Sequence, residues 1–103
     1  MPAYMIFDID ITDQQLWDEY RAKAGPLMAA AGGRFLANDP AAELLAGDWQ
    51  PRILSIVEFP DIETARDFYH SAPYRQMLAL RERAADAKGV LIRSLDPPIA
   101  EPA

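Results

Sequence analysis

The chain contains no cysteine. That excludes disulfides, thiolate nucleophiles, iron–sulfur sites and Cys-ligated zinc. It also suits a reducing cytoplasm, which is the expected location. Histidine is nearly absent as well: His70 is the single one, so no zinc-type metal site is expected. Basic clusters are missing too. Ten Lys and Arg residues are dispersed among sixteen Asp and Glu, for a net charge of −6. Such a surface repels phosphate backbones, and no nucleic-acid partner is expected. No apolar run approaches the roughly 20 residues of a membrane helix. The opening "MPAYMIFDID" has acids inside its apolar stretch and no basic region before it, unlike a signal peptide. No membrane partner is expected.

What remains is 103 residues, half of them hydrophobic, enough for one domain and one core. "AYMIFDI" (3–9) reads as a central strand, being aromatic, β-branched and too continuous for a surface strand. Thr12 has the character of a helix N-cap, with Gln15 completing a capping box. Leu16, Tyr20, Leu27 and Met28 form the stripe of a helix over about 13–31, weakened at Gly25 and Pro26. "GG" at 32–33 ends it, and "RFLAN" (34–38) is a short strand. "ELLAG" (43–47) reads as a further short strand or arm. "RILSIVEF" (52–59) is the clearest strand in the chain. Asp61 then caps a helix from Ile62, and Ser71 a second one running to about Ala87. "GVLIRSL" (89–95) is the last strand. The domain is expected to span 1–96, with 97–103 a proline-rich tail.

This order, β-α-β-(β)-β-α-β, fits an α+β, ferredoxin-like sandwich with helices on one face of the sheet. Strand 52–59 is nevertheless apolar on both sides. Leu54 and Ile56 alternate with Ile53, Val57 and Phe59. One helical layer covers one side, so the other is expected to be buried by a second copy of the chain.

Three stretches, "YRAKAGPLMAAAGGRFL" (20–36), "LLAGDWQPRILSIVEFP" (44–60) and "ARDFYHSAPYRQMLALRERAA" (65–85), together resemble the DUF1330 family of uncharacterised proteins. The joined pattern of GG-R, GDW-P-R, EFP and Y-S-x-Y carries the resemblance. The family's usual W-Y-x-S-P-E-Y is here "FYHSAPY", with Phe68 for the Trp and Ala72-Pro73 for Pro-Glu, so a customary carboxylate is missing. The resemblance implies a homodimer whose two sheets close into a dimeric α/β barrel. The same superfamily holds cofactor-free monooxygenases, isomerases, muconolactone-type enzymes and haem-handling proteins.

Each candidate residue has two readings. Glu58 sits among apolar strand neighbours and needs a partner. It is either a structural ion pair with Arg34, Arg52 or Arg93, or a catalytic acid/base with a raised pKa. His70, the chain's one imidazole, is either a junction residue or a functional one, as a catalytic base or as a haem or metal ligand. Arg34 and Arg52 fit a small carboxylate ligand through the guanidinium fork, and Asp8 shares the sheet face that would hold it. Trp49, in the "GDW" turn, is either an interface anchor or a lid over a ligand. Tyr20, Tyr69 and Tyr74 point from helices toward the sheet, to pack or to hydrogen-bond a ligand. "RER" (81–83) reads as a solvated helix face.

Three functions stay open. The first is a dimer binding a small organic or anionic ligand and acting as a metal-independent enzyme, of isomerase or cofactor-free monooxygenase type. The second is a non-catalytic ligand- or haem-binding module. The third is a structural or regulatory homodimer without a ligand. No cofactor is expected.

Overall fold

The computed structural model describes residues 1–101. The elements run β1 (Ala3–Ile11), α1 (Gln14–Ala30), β2 (Arg34–Asp39), β3 (Ile53–Phe59), α2 (Ile62–Tyr69), α3 (Ala72–Ala84) and β4 (Ala85–Arg93). The four strands form one antiparallel sheet in the order β2-β3-β1-β4. The fold is α+β and ferredoxin-like, with the helices packed on one face.

The local signals explain most boundaries. α1 runs unbroken through Gly25 and Pro26 and ends in a Schellman motif. The Gly33 N–H donates to the Met28 carbonyl (2.8 Å) and the Gly32 N–H to that of Ala29 (3.1 Å). Gly32 takes the left-handed φ of 96° that this motif requires. Asp61 and Ser71 cap α2 and α3, accepting from the Thr64 and Tyr74 N–H groups.

Three expectations are corrected. The cap of α1 is Asp13, whose Oδ1 accepts from the Leu16 N–H at 3.1 Å. The Thr12 hydroxyl instead donates to the Ala84 carbonyl at 3.2 Å, beside the N–H groups of Thr12 and Asp13. That carbonyl ties the start of α1 to the end of α3. Residues 43–47 form no strand, since β3 has β2 on one side and β1 on the other and offers them no free edge. Helix α3 stops at Ala84 rather than 87, and β4 follows at once. Ala85, Asp86 and Ala87 pair with Ile11, Asp10 and Ile9. Sheet pairing there overrides the helical preference of an Ala-rich segment.

The core lies between sheet and helices. Met5, Val57 and Phe59 of the sheet meet Tyr20, Ala24 and Met28 of α1, Ala65 and Phe68 of α2, and Tyr74 of α3. The opposite face carries Tyr4, Ile6, Leu54, Ile56, Val90 and Ile92, in register across three strands. No helix covers it, and Val90 and Ile92 remain 60% and 43% exposed. No helix is long and apolar enough to cross a membrane. Residues 94–101 hold no helix or strand, and the last two residues of the expected tail lie outside the described range.

Candidate functional site

On the covered face the strands present Met5, Phe7, Ile9, Val57 and Ser55 beneath α1 and α3, which do not close fully on them. The result is a chamber of about 300 Å³ whose walls include Trp17, Tyr20 and Arg21 of α1 and Tyr74 and Arg81 of α3. That is the lower end of the size of small-molecule sites, which combine apolar walls with a few convergent polar groups.

The polar groups converge on one point. The Tyr20 and Tyr74 hydroxyls lie 2.8 Å apart in the buried core. Arg81 Nη1 donates to the Tyr74 hydroxyl at 3.1 Å and to the Tyr69 hydroxyl at 3.3 Å. The spacing of α3 produces this. Tyr74 and Arg81 are seven residues apart, two helical turns, and therefore share a face. Aromatic packing fixes the rings. Trp17 packs on Tyr20 with centroids 4.9 Å apart, and Phe68 and Tyr69 pack on Tyr74 at 5.0 and 5.3 Å. The Arg81 guanidinium also lies over the Phe7 and Tyr69 rings, at 5.6 and 5.8 Å.

Electrostatics give the two ends of the network different characters. Burial, and then the neighbouring Tyr74 hydroxyl, hold the Tyr20 phenol well above the usual range, so it stays neutral. Burial works against the Arg81 charge. The Tyr69 hydrogen bond and the Tyr74 and Tyr69 hydroxyls outweigh it, and the net shift is upward. Among the described residues Arg81 has no carboxylate within 4.0 Å. A half-buried cation is thus held by phenol oxygens alone. No Asp, Glu or His lines this chamber, and no three such residues are placed to hold a metal ion among the described residues.

The residues singled out from sequence are divided between the two faces. Tyr20 and Tyr74 belong to the chamber. Glu58 lies on the open face, in register with Tyr4 and Arg34, where Arg34 Nε and Nη2 donate to its Oε1 at 3.0 and 2.6 Å. Asp8 is also on that face. It accepts from the Trp49 indole N–H at 3.2 Å and from the Arg52 backbone N–H at 2.9 Å. Trp49 is thereby bound to β1 from the loop between β2 and β3. The Arg52 guanidinium and Arg93 form no ion pair among the described residues. His70 is exposed at the junction of α2 and α3, with its Nδ1 2.7 Å from Arg75 Nη2. It lines a second space rather than the chamber. Glu58 and His70 therefore share no pocket.

Arg81 is the functional candidate that the sequence reading missed. Glu82 and Arg83 are solvated as expected, but Arg81 turns inward. Its position in the stripe Tyr74, Met77, Leu78, Arg81 was the available signal. An arginine closing an otherwise apolar helical face is an inward-facing charge.

The chain belongs to the DUF1330 family, a domain of unknown function, which residues 2–95 match. Solved structures share its fold. A protein of unknown function from Rhodopseudomonas palustris is 18% identical over 91% of this chain and 82% of its own, with a TM-score of 0.73. SnoaB, a cofactor-independent oxygenase from Streptomyces nogalater, is 10% identical over 91% of this chain and 93% of its own, with a TM-score of 0.66. A dimeric ferredoxin-like protein of unknown function from Thermobifida fusca is 17% identical over 89% of this chain and 90% of its own, with a TM-score of 0.58. No curated protein matches the sequence.

Proposed function

We propose that the chamber binds a small planar molecule bearing a phenolic or enolic oxygen and stabilises that oxygen as an anion. The observation that carries this reading is Arg81, a half-buried cation held beside the Tyr20–Tyr74 pair with no carboxylate within 4.0 Å among the described residues. A preorganised cation and neutral hydroxyl donors in an apolar enclosure favour the charged form of a bound oxygen acid. No side-chain base lines the chamber, so the ligand's own acidity, increased by Arg81, would release its proton to water. Stabilised enolates and phenolates are what a metal-independent isomerase or a cofactor-free oxygenase acts upon, since the carbanion character of the ring then supplies the electrons. The fold shared with a cofactor-independent oxygenase is compatible with that chemistry and does not assign it.

4-Nitrophenol tests the reading, because its ionised form is coloured. The bound probe should ionise at a lower pH than the free probe, and Arg81→Met should lose at least tenfold in affinity and abolish the shift. Thermal unfolding confirms that the variant is folded. An unshifted bound probe, or an equal shift in Arg81→Met, overturns the proposal.

The open sheet face is proposed to be covered by a second copy of the chain. Its six apolar side chains have no helical cover, and one protein of the same fold is dimeric. Light scattering should give twice the chain mass, and Ile56→Asp, at the centre of that face, should give the single mass. A wild-type monomer at micromolar concentration overturns it.

A further inference from the structure

A second chamber, of about 320 Å³, adjoins the first. It opens between α2, α3 and the edge strand β4, and Met5, Phe7, Arg81 and Ala87 line both spaces. Its other walls include Arg66, Tyr69 and His70. Arg75 touches two of these lining residues, with Nη2 2.7 Å from His70 Nδ1 and its guanidinium over the Tyr69 ring at 5.9 Å. Two of the chain's ten basic residues, Arg66 and Arg81, and its one histidine thus line one concavity in a protein of net charge −6, with Arg75 in contact with that histidine. Among the described residues, none of Arg66, Arg75 and Arg81 has a carboxylate within 4.0 Å. Arg21, Lys23 and Arg34 each have an acidic partner, while Arg52, Arg83, Lys88 and Arg93 have none among the described residues either, so it is the gathering of these groups at one concavity that sets them apart. The partition between the chambers is thin. Gly89 lets the Phe7 ring lie against the β4 backbone, where any Cβ would overlap it, and the Arg81 guanidinium lies over that ring.

We propose that this second chamber is an acid-binding subsite. The ligand would be a hydroxyaryl or enolic molecule carrying a carboxylate on a short arm, its ring in the first chamber and its acid group reaching past Arg81 toward Arg66. Guanidinium groups match a carboxylate in shape as well as charge. Their charges, without an ion-pair partner among the described residues, are neutralised in part when the acid binds. Arg81, common to both walls, would touch the ionised oxygen and the acid group at once. That sets the arm short, as in a β-keto acid or a hydroxyaryl acetate. The inference rests on the reading of the first chamber as a phenolate or enolate site.

The test compares 4-nitrophenol with 2-hydroxy-5-nitrophenylacetate, which has the same chromophore plus a carboxylate on a one-carbon arm. Spectroscopic titration of the wild-type protein should show the acid binding at least tenfold more tightly. That advantage should shrink as salt rises, because the arginines are partly exposed. The double substitution Arg66→Gln with Arg75→Gln, at the surface, should bring the ratio of the two affinities to within about twofold of one. Equal wild-type affinities overturn the subsite alone, and so does an advantage that survives the double substitution. If neither probe binds, both this inference and the first-chamber reading fall.

Discussion

Two arginines, one on each face of the sheet, are handled in opposite ways. On the open face Arg34 is 72% exposed, yet it closes on Glu58 at 2.6 Å. On the same face Asp8 is occupied by the Trp49 indole and the Arg52 backbone. On the covered face Arg81 is half-buried, where an unmatched charge costs more, and it meets only phenol oxygens and aromatic rings. The Arg34 charge is neutralised within the chain, and the enclosed Arg81 charge is left to be neutralised from outside. A carboxylate among apolar residues in a strand looks more reactive on paper than an arginine in a charged helix. Pairing reverses that order, because a group already satisfied in the folded chain has little left to offer a ligand.

The strongest way to break the comparison is to remove the residue that joins the network to the core. Tyr74 is 1% exposed and, with Phe59, among the largest fully buried side chains. Tyr74→Ala would leave a cavity among Phe68, Tyr69 and Tyr20. It should cost roughly 3–5 kcal/mol in urea unfolding, as other large-to-small core changes do. A cost below about 1 kcal/mol would mean that the covered face is not the packed side of the sheet.

Alkaline titration sharpens the comparison with a smaller effect. The folded-state pKa of Tyr20 is raised above the usual phenol value of about 10, chiefly by burial. The folded protein therefore holds that proton more firmly than the unfolded chain does. The stability this contributes is fully present below about pH 10. It is lost as pH rises from there toward the folded pKa, at about 1.4 kcal/mol per pH unit for the one proton. Tyr20→Phe has no such proton, so its unfolding free energy should decline less steeply than that of the wild type above pH 10. Parallel curves for the two proteins would show that the Tyr20 hydroxyl is not held neutral by its surroundings.

Much of the fold was legible in the sequence because its signals are local. Gly32 and Gly33 end α1, Asp61 and Ser71 cap α2 and α3, and alternation in 53–59 marks a strand apolar on both sides. The failures lie where a distant partner decides. Nothing near Ala85–Ala87 announces a strand, and those residues become one by pairing with Ile9–Ile11. Thr12 looks like a cap until the Ala84 carbonyl, 72 residues away, takes its hydroxyl. The site divides in the same way. Helical periodicity placed Tyr20 and Tyr74 toward the sheet, but it could not bring their hydroxyls together. Glu58 had three arginines within reach by strand position, and only the β2–β3 register selects Arg34. Arg81 was hidden by its neighbours. "RER" reads as one solvated run, although its first member lies two turns from Tyr74 and on the same face.

The smallest expected effect is on the open face. Glu58 and Arg34 are joined by a short charge-assisted pair, but Arg34 is largely in water, and such pairs contribute about 0–1 kcal/mol. Glu58→Gln keeps the shape and a hydrogen-bonding oxygen, so it should shift the unfolding free energy by less than about 1 kcal/mol. The ionisation of bound 4-nitrophenol should stay at its wild-type pH, because the sheet lies between Glu58 and the chamber. Arg81→Met, a change of the same size in charge on the other face, is expected to abolish that ionisation shift. The comparison between the faces thus reduces to two single substitutions and one colour change. If Glu58→Gln moved the probe's ionisation as far as Arg81→Met does, the separation of a neutralised Glu58–Arg34 pair from an available Arg81 would be wrong. The chemistry would then have to be sought where Glu58 stands.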